Sequence, residues 1–406
     1  MKFLRLMAYY PPENVPSANM EKEFEEAVAS HEIGLKILTP YPTRGCDEDT
    51  RKAYKGTEHL HNGRVVVKRF PLYREPKNSF LRAVRYILGN VIEYFYAVKE
   101  KDVDIVLSGS TPPTQIALAR KVARKLKVPY ILRIQDIFPD SMVAAGMTQK
   151  GSLLWKIGNA LTQKAYLDAA QIMVIGEEMR DTLCQKGVPV EKIKIVPNWI
   201  NTEEIQHVSR QNNALMRELG LPEDPFYVVY AGNLGKIQNV STLVKAAAKL
   251  KEHDGIHFVI FGEGVEKNEI IGLCEKMELK NLSLYPLQKK ERISEVYSIA
   301  DLSVIMCQKG AGKAAVPSKT WSILSTATPV LAAFDSDSGL CKMIHDVNCG
   351  ICVQPEDENE LADTIYKAYL ERDKLDALGA NGRAYVVKHF DSKVCLDHYI
   401  EALLKN

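Results

Sequence analysis

No run of about 18 uninterrupted apolar residues occurs in the 406-residue chain, so no segment qualifies as a membrane-spanning helix. The opening MKFLRLMAYYPPE turns polar too soon for a signal peptide, and the expected location is the cytoplasm. Charge of one sign is also missing. Lys and Arg number 53 against 51 Asp and Glu, a formal net charge of only +2. A dedicated nucleic-acid binder is usually more basic, so nucleic acid is not an expected partner. Nor is there a disulfide framework. The cysteines at 46, 184, 274, 307, 341, 349, 352 and 395 are scattered and mostly set in apolar runs. They read as reduced, buried small hydrophobes. Cys349-Gly-Ile-Cys352 lacks the second pair that a structural zinc site needs, and reads as neighbours on a strand and its turn. Internal repeats and low-complexity tracts are absent. What remains is 46% hydrophobic and 26% charged, an ordinary globular composition with length for two domains.

Short β-rich runs alternate with helical patterns along nearly the whole chain. Strands are expected at Lys2–Met7, Gly34–Leu38, Ile105–Ser108, Tyr130–Ile134, Ile172–Ile175 and Ile193–Val196. A second series follows at Tyr227–Tyr230, His257–Phe261, Leu282–Leu284, Leu302–Ile305, Val330–Ala333 and Gly350–Val353. Amphipathic helices fall between them, among them Glu21–Ser30, Pro113–Leu126, Val240–His253 and Glu291–Ser298. This alternation predicts an α/β protein with two doubly wound parallel sheets. Residues 1–201, completed by 387–406, form the expected first domain, and 202–386 the second. The break follows Pro197-Asn-Trp-Ile-Asn201, where a strand ends and a polar, weakly patterned stretch begins. Two open sheets imply a ligand crevice at their C-terminal edges.

The richest stretch is Gly312–Leu331. Pro317 and Ser318 are a start-and-cap signal for a helix reaching Ser325, and Pro329 stops it. A helix start with Lys319 and Lys313 beside it suits a diphosphate, though a surface helix with incidental lysines reads equally well. Tyr230-Ala-Gly-Asn-Leu-Gly-Lys236 brings two glycines and a lysine to the end of a strand. Glycines let a ligand approach the backbone and Lys236 can meet a phosphate; an ordinary strand-to-helix turn is the alternative. Phe261-Gly-Glu-Gly264 lacks the third glycine of a dinucleotide fingerprint, with Lys267 in its place, which argues against NAD. Asp335-Ser-Asp337 has the D-x-D form of a metal–nucleotide clamp, but solvated Asp/Ser turns are common and no metal is expected.

In the first half, the loop Tyr9–Asn19 follows the first strand and is expected to face the crevice. Gln135 and Asp136 lie just past another strand, where a carboxylate can take a proton from a substrate hydroxyl or simply cap a helix. Arg120–Lys127 carries five cations and no acid, and Phe80–Ile87 and Leu153–Lys164 are also basic and partly apolar. Such faces suit an anionic membrane surface or plain solvent.

Taken in order, Tyr10-Pro-Pro-Glu13, Gln135-Asp-Ile-Phe-Pro-Asp140, Pro197-Asn-Trp-Ile200, Gly232-Asn-Leu-Gly235, Phe261–Gly264, Pro317-Ser-Lys319, Asp335–Ser338 and the Gly350–Ala362 tail resemble the retaining GT-B glycosyltransferases of family 4. The closest branch is that of the colanic-acid, O-antigen and L-fucosamine-type transferases. The resemblance implies two Rossmann-like domains facing a cleft, with a C-terminal helix crossing back to the first. It implies sugar transfer with retention in bacterial surface polysaccharide synthesis. No metal or other cofactor is expected, because the helix start and the lysines supply the charge. The donor is a nucleotide-sugar, a UDP-sugar foremost. It is expected at Gly232, Asn233, Gly235, Gln238, Gly262, Glu263, Gly264, Leu287, Pro317, Ser318 and Ser322. The acceptor, a saccharide on polyprenyl diphosphate at the inner membrane surface or on a polysaccharide, is expected at Glu13, Asn14, Ser17 and Gln135. Asp136, Lys236 and Lys319 are the expected catalytic residues. Against the family pattern, a Glu-x7-Glu pair is replaced at Ala314 and Ser322, an Arg and a Lys of the donor loop at Asn233 and Gln238, and a His at Gln135. Lys236 and Lys319 are expected to restore the lost charge. Rival readings are a non-hydrolysing nucleotide-sugar epimerase and a non-catalytic sugar-nucleotide binding protein.

Overall fold

In the computed structural model the chain divides into two compact units, Met1–Pro197 with Cys395–Asn406, and Asn198–Val394. Residues 1–15, 18–144, 148–312 and 317–405 are described.

The first unit is an eight-stranded sheet: β1 Lys2–Leu6, β2 Gly34–Pro40, β3 Thr57–Leu60, β4 Val65–Phe70, β5 Ile105–Gly109, β6 Tyr130–Ile134, β7 Gln171–Val174 and β8 Ile193–Ile195. Their order is β3-β4-β2-β1-β5-β6-β7-β8. All neighbours run parallel except β3 and β4. These two strands lie outside the expected set. β3 alternates half-buried and exposed residues at the sheet edge, a weak signal, whereas the β-branched start of β4 is a clear one.

One side of this sheet carries buried charge. Arg5 on β1 pairs with Glu21 at 2.6 Å and stacks over Phe24. Arg133 on β6 lies over Tyr399, which in turn packs on Phe24 with ring centroids 4.7 Å apart. The chain's last helical residues thus return to the first unit. The other side buries a continuous apolar core under the helices Ser79–Ala97, Thr114–Leu126 and Leu153–Asp168.

The second unit is all parallel: β9 Phe226–Asn233, β10 Ile256–Glu263, β11 Leu282–Tyr285, β12 Leu302–Met306, β13 Val330–Ala333 and β14 Gly350–Val353. The order β11-β10-β9-β12-β13-β14 is that of a dinucleotide-binding sheet, with its strand order reversing between β9 and β12. Alternate residues of the strands feed two cores. Val228, Tyr230, Phe258 and Ile260 face one, and Tyr227, Val229, Val259 and Phe261 the other.

The units divide at Pro197 and Cys395, not at the expected 201 and 387. The reason is local pairing. Ile200 bridges Asp391, Ser392 N–H donates to the Ile200 carbonyl, and the Thr202 hydroxyl donates to Asp391 at 2.5 Å. The whole turn therefore stays with the second unit.

Glu93, on the helix Ser79–Ala97, is buried beneath the end of β1. Its carboxyl accepts from Met7 N–H at 3.1 Å and from Gln115 Nε2 at 3.0 Å. Burial pushes its pKa up to about 8 from the ordinary 4.5. Between those values the folded chain holds a proton that the unfolded chain has released, so this group's contribution to stability falls as pH rises through the window. Glu93→Gln is expected to leave the melting temperature nearly unchanged at about pH 5 and to raise it by a few degrees at about pH 8.5. Thermal unfolding at the two values checks this; an equal shift at both refutes it.

Candidate active site

The strands that flank the switch point differ in length. β9 stays paired with β10 to its last residues, Gly232 opposite Gly262 and Asn233 opposite Glu263. Its register with β12 covers only Val228 and Val229 against Leu302 and Ser303. Ala231 lies past the end of that register. The Lys319 Nζ donates to the Ala231 carbonyl at 3.0 Å and lies 4.3 Å from the Tyr230 ring centre. The residue keeps some surface open, yet the ammonium is sunk among protein atoms, and this burial pushes its pKa down to about 8.

Gly232 is what makes room. Its φ is +153°, and a Cβ there would sit 2.6 Å from the Lys319 ammonium. Gly264, at φ +156°, passes so close to Leu234 that a Cβ would strike the Leu234 carbonyl. Backbone bonds from Leu234 N–H to Glu263 and from Glu266 N–H to Leu234 lock the two glycine turns together. Gly262 packs on the Leu234 side chain and Gly235 sits inside the Asn233–Gln238 turn.

Asn233 and Gln238, the positions where the family pattern has cations, hydrogen-bond to each other at 3.0 Å. This neutral pair closes the turn. Lys236 is exposed on the single 3-10 turn Lys236–Gln238. Glu263 is exposed and paired with Lys267 at 2.7 Å, and Leu287 is exposed beyond β11.

The helix after Pro317 runs Lys319–Ser325. Ser318 was expected to cap it and does not. Its φ of −58° and ψ of −27° are already helical, so its hydroxyl makes no capping bond. Ser322 is buried within the helix, and Trp321 stacks on Phe390 with ring centres 3.7 Å apart. Asp335 is not poised for a metal. Its carboxylate is turned to the N–H groups of Gly310 and Gly312, which it accepts at 2.9 and 3.3 Å. Lys313, Ala314 and Ser17 lie outside the described residues.

At the first unit's sheet edge, the Ser110 hydroxyl accepts from the N–H groups of Gln135 and Asp136 at 2.9 and 3.2 Å. This ties both to the end of β5. Asp136 stands at the surface, and the protein around its carboxyl pushes the pKa upward. Glu13 is fully buried, and its oxygens accept from Thr43 N–H, the Thr43 hydroxyl, Arg44 N–H and Tyr10 N–H. These bonds shape its loop. Asn14 beside it is exposed.

A cluster beyond the expected set lies next to this loop. Arg44 makes a two-pronged pair with Glu75 at 2.8 and 2.9 Å and lies over the Tyr9 ring. The Tyr9 hydroxyl reaches Glu75 at 2.9 Å and the Tyr86 hydroxyl at 2.7 Å. Burial opposes ionisation of Glu75, but the hydrogen bonds from Arg44 and Tyr9 outweigh it and hold the pKa below the usual range. These residues are far apart in sequence, and only Tyr9 adjoins a motif.

Residues 25–199 match the Glycosyl transferase 4-like domain, and residues 211–385 match the Glycosyl transferases group 1 domain. The chain belongs to the GT-B glycosyltransferases. The glycosyl transferase WcaI of Escherichia coli, named for colanic acid biosynthesis, is 25% identical over 412 residues, which is 98% of this chain and 99% of its own. A Campylobacter jejuni N-acetylgalactosaminyltransferase, whose name gives a saccharide on diphospho-undecaprenol, is 26% identical over 52% of this chain and 54% of its own. Anabaena HepE, solved with UDP and glucose, superposes with a TM-score of 0.70 at 14% identity, covering 100% of both chains.

Two predictions concern the transferase's buried ammonium. The folded pKa of about 8 lies below the ordinary 10.5, so the charged form costs stability below about 8, and stability rises with pH between the two. Lys319→Met is therefore expected to raise the melting temperature of the ligand-free transferase by a few degrees at about pH 7 while abolishing nucleotide binding. A lower melting temperature would show that the ammonium is a structural prop. Gly232→Ala is expected to keep the fold but weaken nucleotide binding at least about tenfold, because the added methyl displaces the Lys319 amine. Calorimetric titration with UDP reads both variants.

Proposed function

We propose that this glycosyltransferase moves a sugar, with retention, from a nucleotide-sugar to an acceptor in bacterial surface polysaccharide synthesis. The donor is a UDP-sugar, and the acceptor a saccharide carried on polyprenyl diphosphate. One observation carries the donor reading: a buried ammonium held against a glycine turn at the switch point of the second unit. Open α/β sheets bind ligands at that point, and the glycine turn lets a diphosphate approach the backbone. UDP in HepE and the diphospho-undecaprenol in the Campylobacter relative's name support the two substrate classes. WcaI supports the setting.

The chemistry follows from charge. As the bond from the anomeric carbon to the donor phosphate oxygen breaks, its electron pair stays on the diphosphate and positive charge develops on the sugar. The Lys319 ammonium, sunk among protein atoms, meets the new negative charge, and a fixed, desolvated cation contributes most there. Lys236, exposed on the neighbouring turn, adds to it. These cations supply the charge that a metal would, so none is required. The acceptor hydroxyl attacks the face that the diphosphate leaves, which retains the configuration. Asp136 takes the hydroxyl proton, and its raised pKa brings its basicity nearer neutral pH.

Bound diphosphate favours the charged lysine and raises its pKa. Binding of UDP at about pH 8.5 is therefore expected to take up a proton, seen as a buffer-dependent heat in calorimetry; the uptake should vanish near about pH 6. Asp136→Asn is expected to lower kcat by about a hundredfold or more with donor affinity unchanged. Transfer of labelled sugar to lipid-linked saccharide, with and without EDTA, tests the whole reading. Full activity of Asp136→Asn would remove the base assignment. Loss of activity in EDTA would remove metal independence, and absence of UDP binding would remove the donor site.

A further inference from the structure

The helix Ser79–Ala97 is inside out. Phe80, Val84, Ile87, Val91 and Phe95 recur at steps of four, three, four and four, which is one stripe of a helix. In a globular domain that stripe faces the core. Here these residues, with Leu81 and Leu88 beside them, are 42–74% exposed. The residues turned inward are Arg85, Gly89, Glu93 and Ala97. From Phe80 to Phe95 the apolar edge is about 22 Å long.

A second helix on the same side of the sheet repeats the arrangement. Leu153, Leu154, Ile157 and Leu161 are exposed on Leu153–Asp168, with Lys156 and Lys164 exposed alongside. Between the two helices packs Thr114–Leu126, which exposes Lys121, Arg124 and Lys125. Acid is nearly absent from the three helices. Glu93 is buried, and Asp168 is paired with Arg120 at 2.6 Å.

We infer that this side of the first unit docks on a lipid bilayer containing anionic phospholipid. The two apolar stripes enter the boundary between headgroups and acyl chains, and the strip of cations between them pairs with lipid phosphates. Charge selects the occupant. A second copy of the chain, docked through the same patch about a two-fold axis, would set Lys121, Arg124 and Lys125 against the partner's own cations. A polyanion without apolar parts would leave the exposed leucines and phenylalanines in water. A surface of anionic headgroups over acyl chains satisfies both at once. The inference extends the lipid-linked acceptor reading, since it names the surface that brings the enzyme to such an acceptor.

The test is flotation of the full chain with vesicles of phosphatidylcholine alone, or with about 30% phosphatidylglycerol, at about 0.1 and 0.5 M salt. Wild type is expected to float with the anionic vesicles and to retain part of that binding at high salt, because the apolar term is not screened. The double variant Phe80→Ser, Ile87→Ser is expected to lose about tenfold in partitioning and all salt-resistant binding. Lys121→Glu with Lys125→Glu is expected to lose the preference for anionic lipid. Light scattering and UDP binding on the same samples separate the outcomes. Absence of vesicle binding, with UDP still bound, sinks this inference and leaves the donor reading standing. A wild-type dimer dispersed by the serine variant sinks it too, and assigns the stripe to self-association. Vesicle binding without UDP binding sinks the donor reading instead.

Discussion

The second unit is organised around one unfavourable arrangement, a lysine ammonium drawn out of water. Lys319 has a carbonyl and an aromatic face to answer its charge, and among the described residues no carboxylate is paired with it. A carbonyl acceptor and a tyrosine ring recover part of what desolvation costs, and the lowered pKa measures what is left. Much of the surrounding structure serves to keep the amine there. β9 and β10 run on together past the last residues that β9 shares with β12. Gly232 gives up a side chain, Leu234 is gripped by the turn after β10, and Trp321 anchors the lysine's helix on Phe390. A site held open by packing of this kind is preorganised: the charge is in place before any diphosphate arrives, and need not be gathered during the reaction.

The neutral Asn233–Gln238 pair gives this arrangement its chemical character. Where the family pattern places an Arg and a Lys, this chain closes a hydrogen bond, and the charge moves to a helix on the far side of the switch point. An arginine would stay charged at any relevant pH. A lysine whose pKa is about 8 does not, so on the proposed reading of this site its affinity for a diphosphate is coupled to proton uptake. The substitution thus changes the kind of control on the site as well as the identity of its cation.

Much of the fold was legible because hydrophobic periodicity and punctuation are local. Tyr130–Ile134, Val330–Ala333 and Gly350–Val353 stand where their patterns put them. β3 was not, because Thr57–Leu60 is short, half exposed and held only as an antiparallel edge. Ser318 failed as a cap because a cap depends on one residue's φ and ψ, which serine does not dictate. Glu13 looked like a ligand residue because it lies in a polar loop after a first strand. Its burial under Thr43 and Arg44, thirty residues away in sequence, could not be read from that position. The Arg44–Glu75–Tyr9 cluster shares that difficulty: its members meet only once β1, β2 and β4 are side by side. Lys319 was found through a motif, but its burial was not, since nothing in Pro-Ser-Lys says that the amine will cross to β9.

The first unit inverts the same logic. In the helix Ser79–Ala97, Arg85 and Glu93 are buried beside Gly89 and Ala97 while a stripe of apolar residues is exposed, and the buried ionisable groups are made tolerable by specific partners. Glu93 is kept neutral by burial and accepts from Met7 and Gln115. The Arg85 guanidinium donates to the Tyr73 carbonyl at 2.9 Å. A sequence free to place leucine inward and lysine outward would reach a more stable monomer by a shorter route, because buried ionisable groups are costly and exposed apolar stripes invite association. Both features on one helix are hard to explain by stability alone. Inward polarity ties the helix to the loop after β1, where an acceptor would be handled, and outward apolarity presents a surface that water does not favour. On the proposed reading, one helix joins the two demands that a lipid-linked substrate makes, a polar site for its sugar and an apolar face for its carrier.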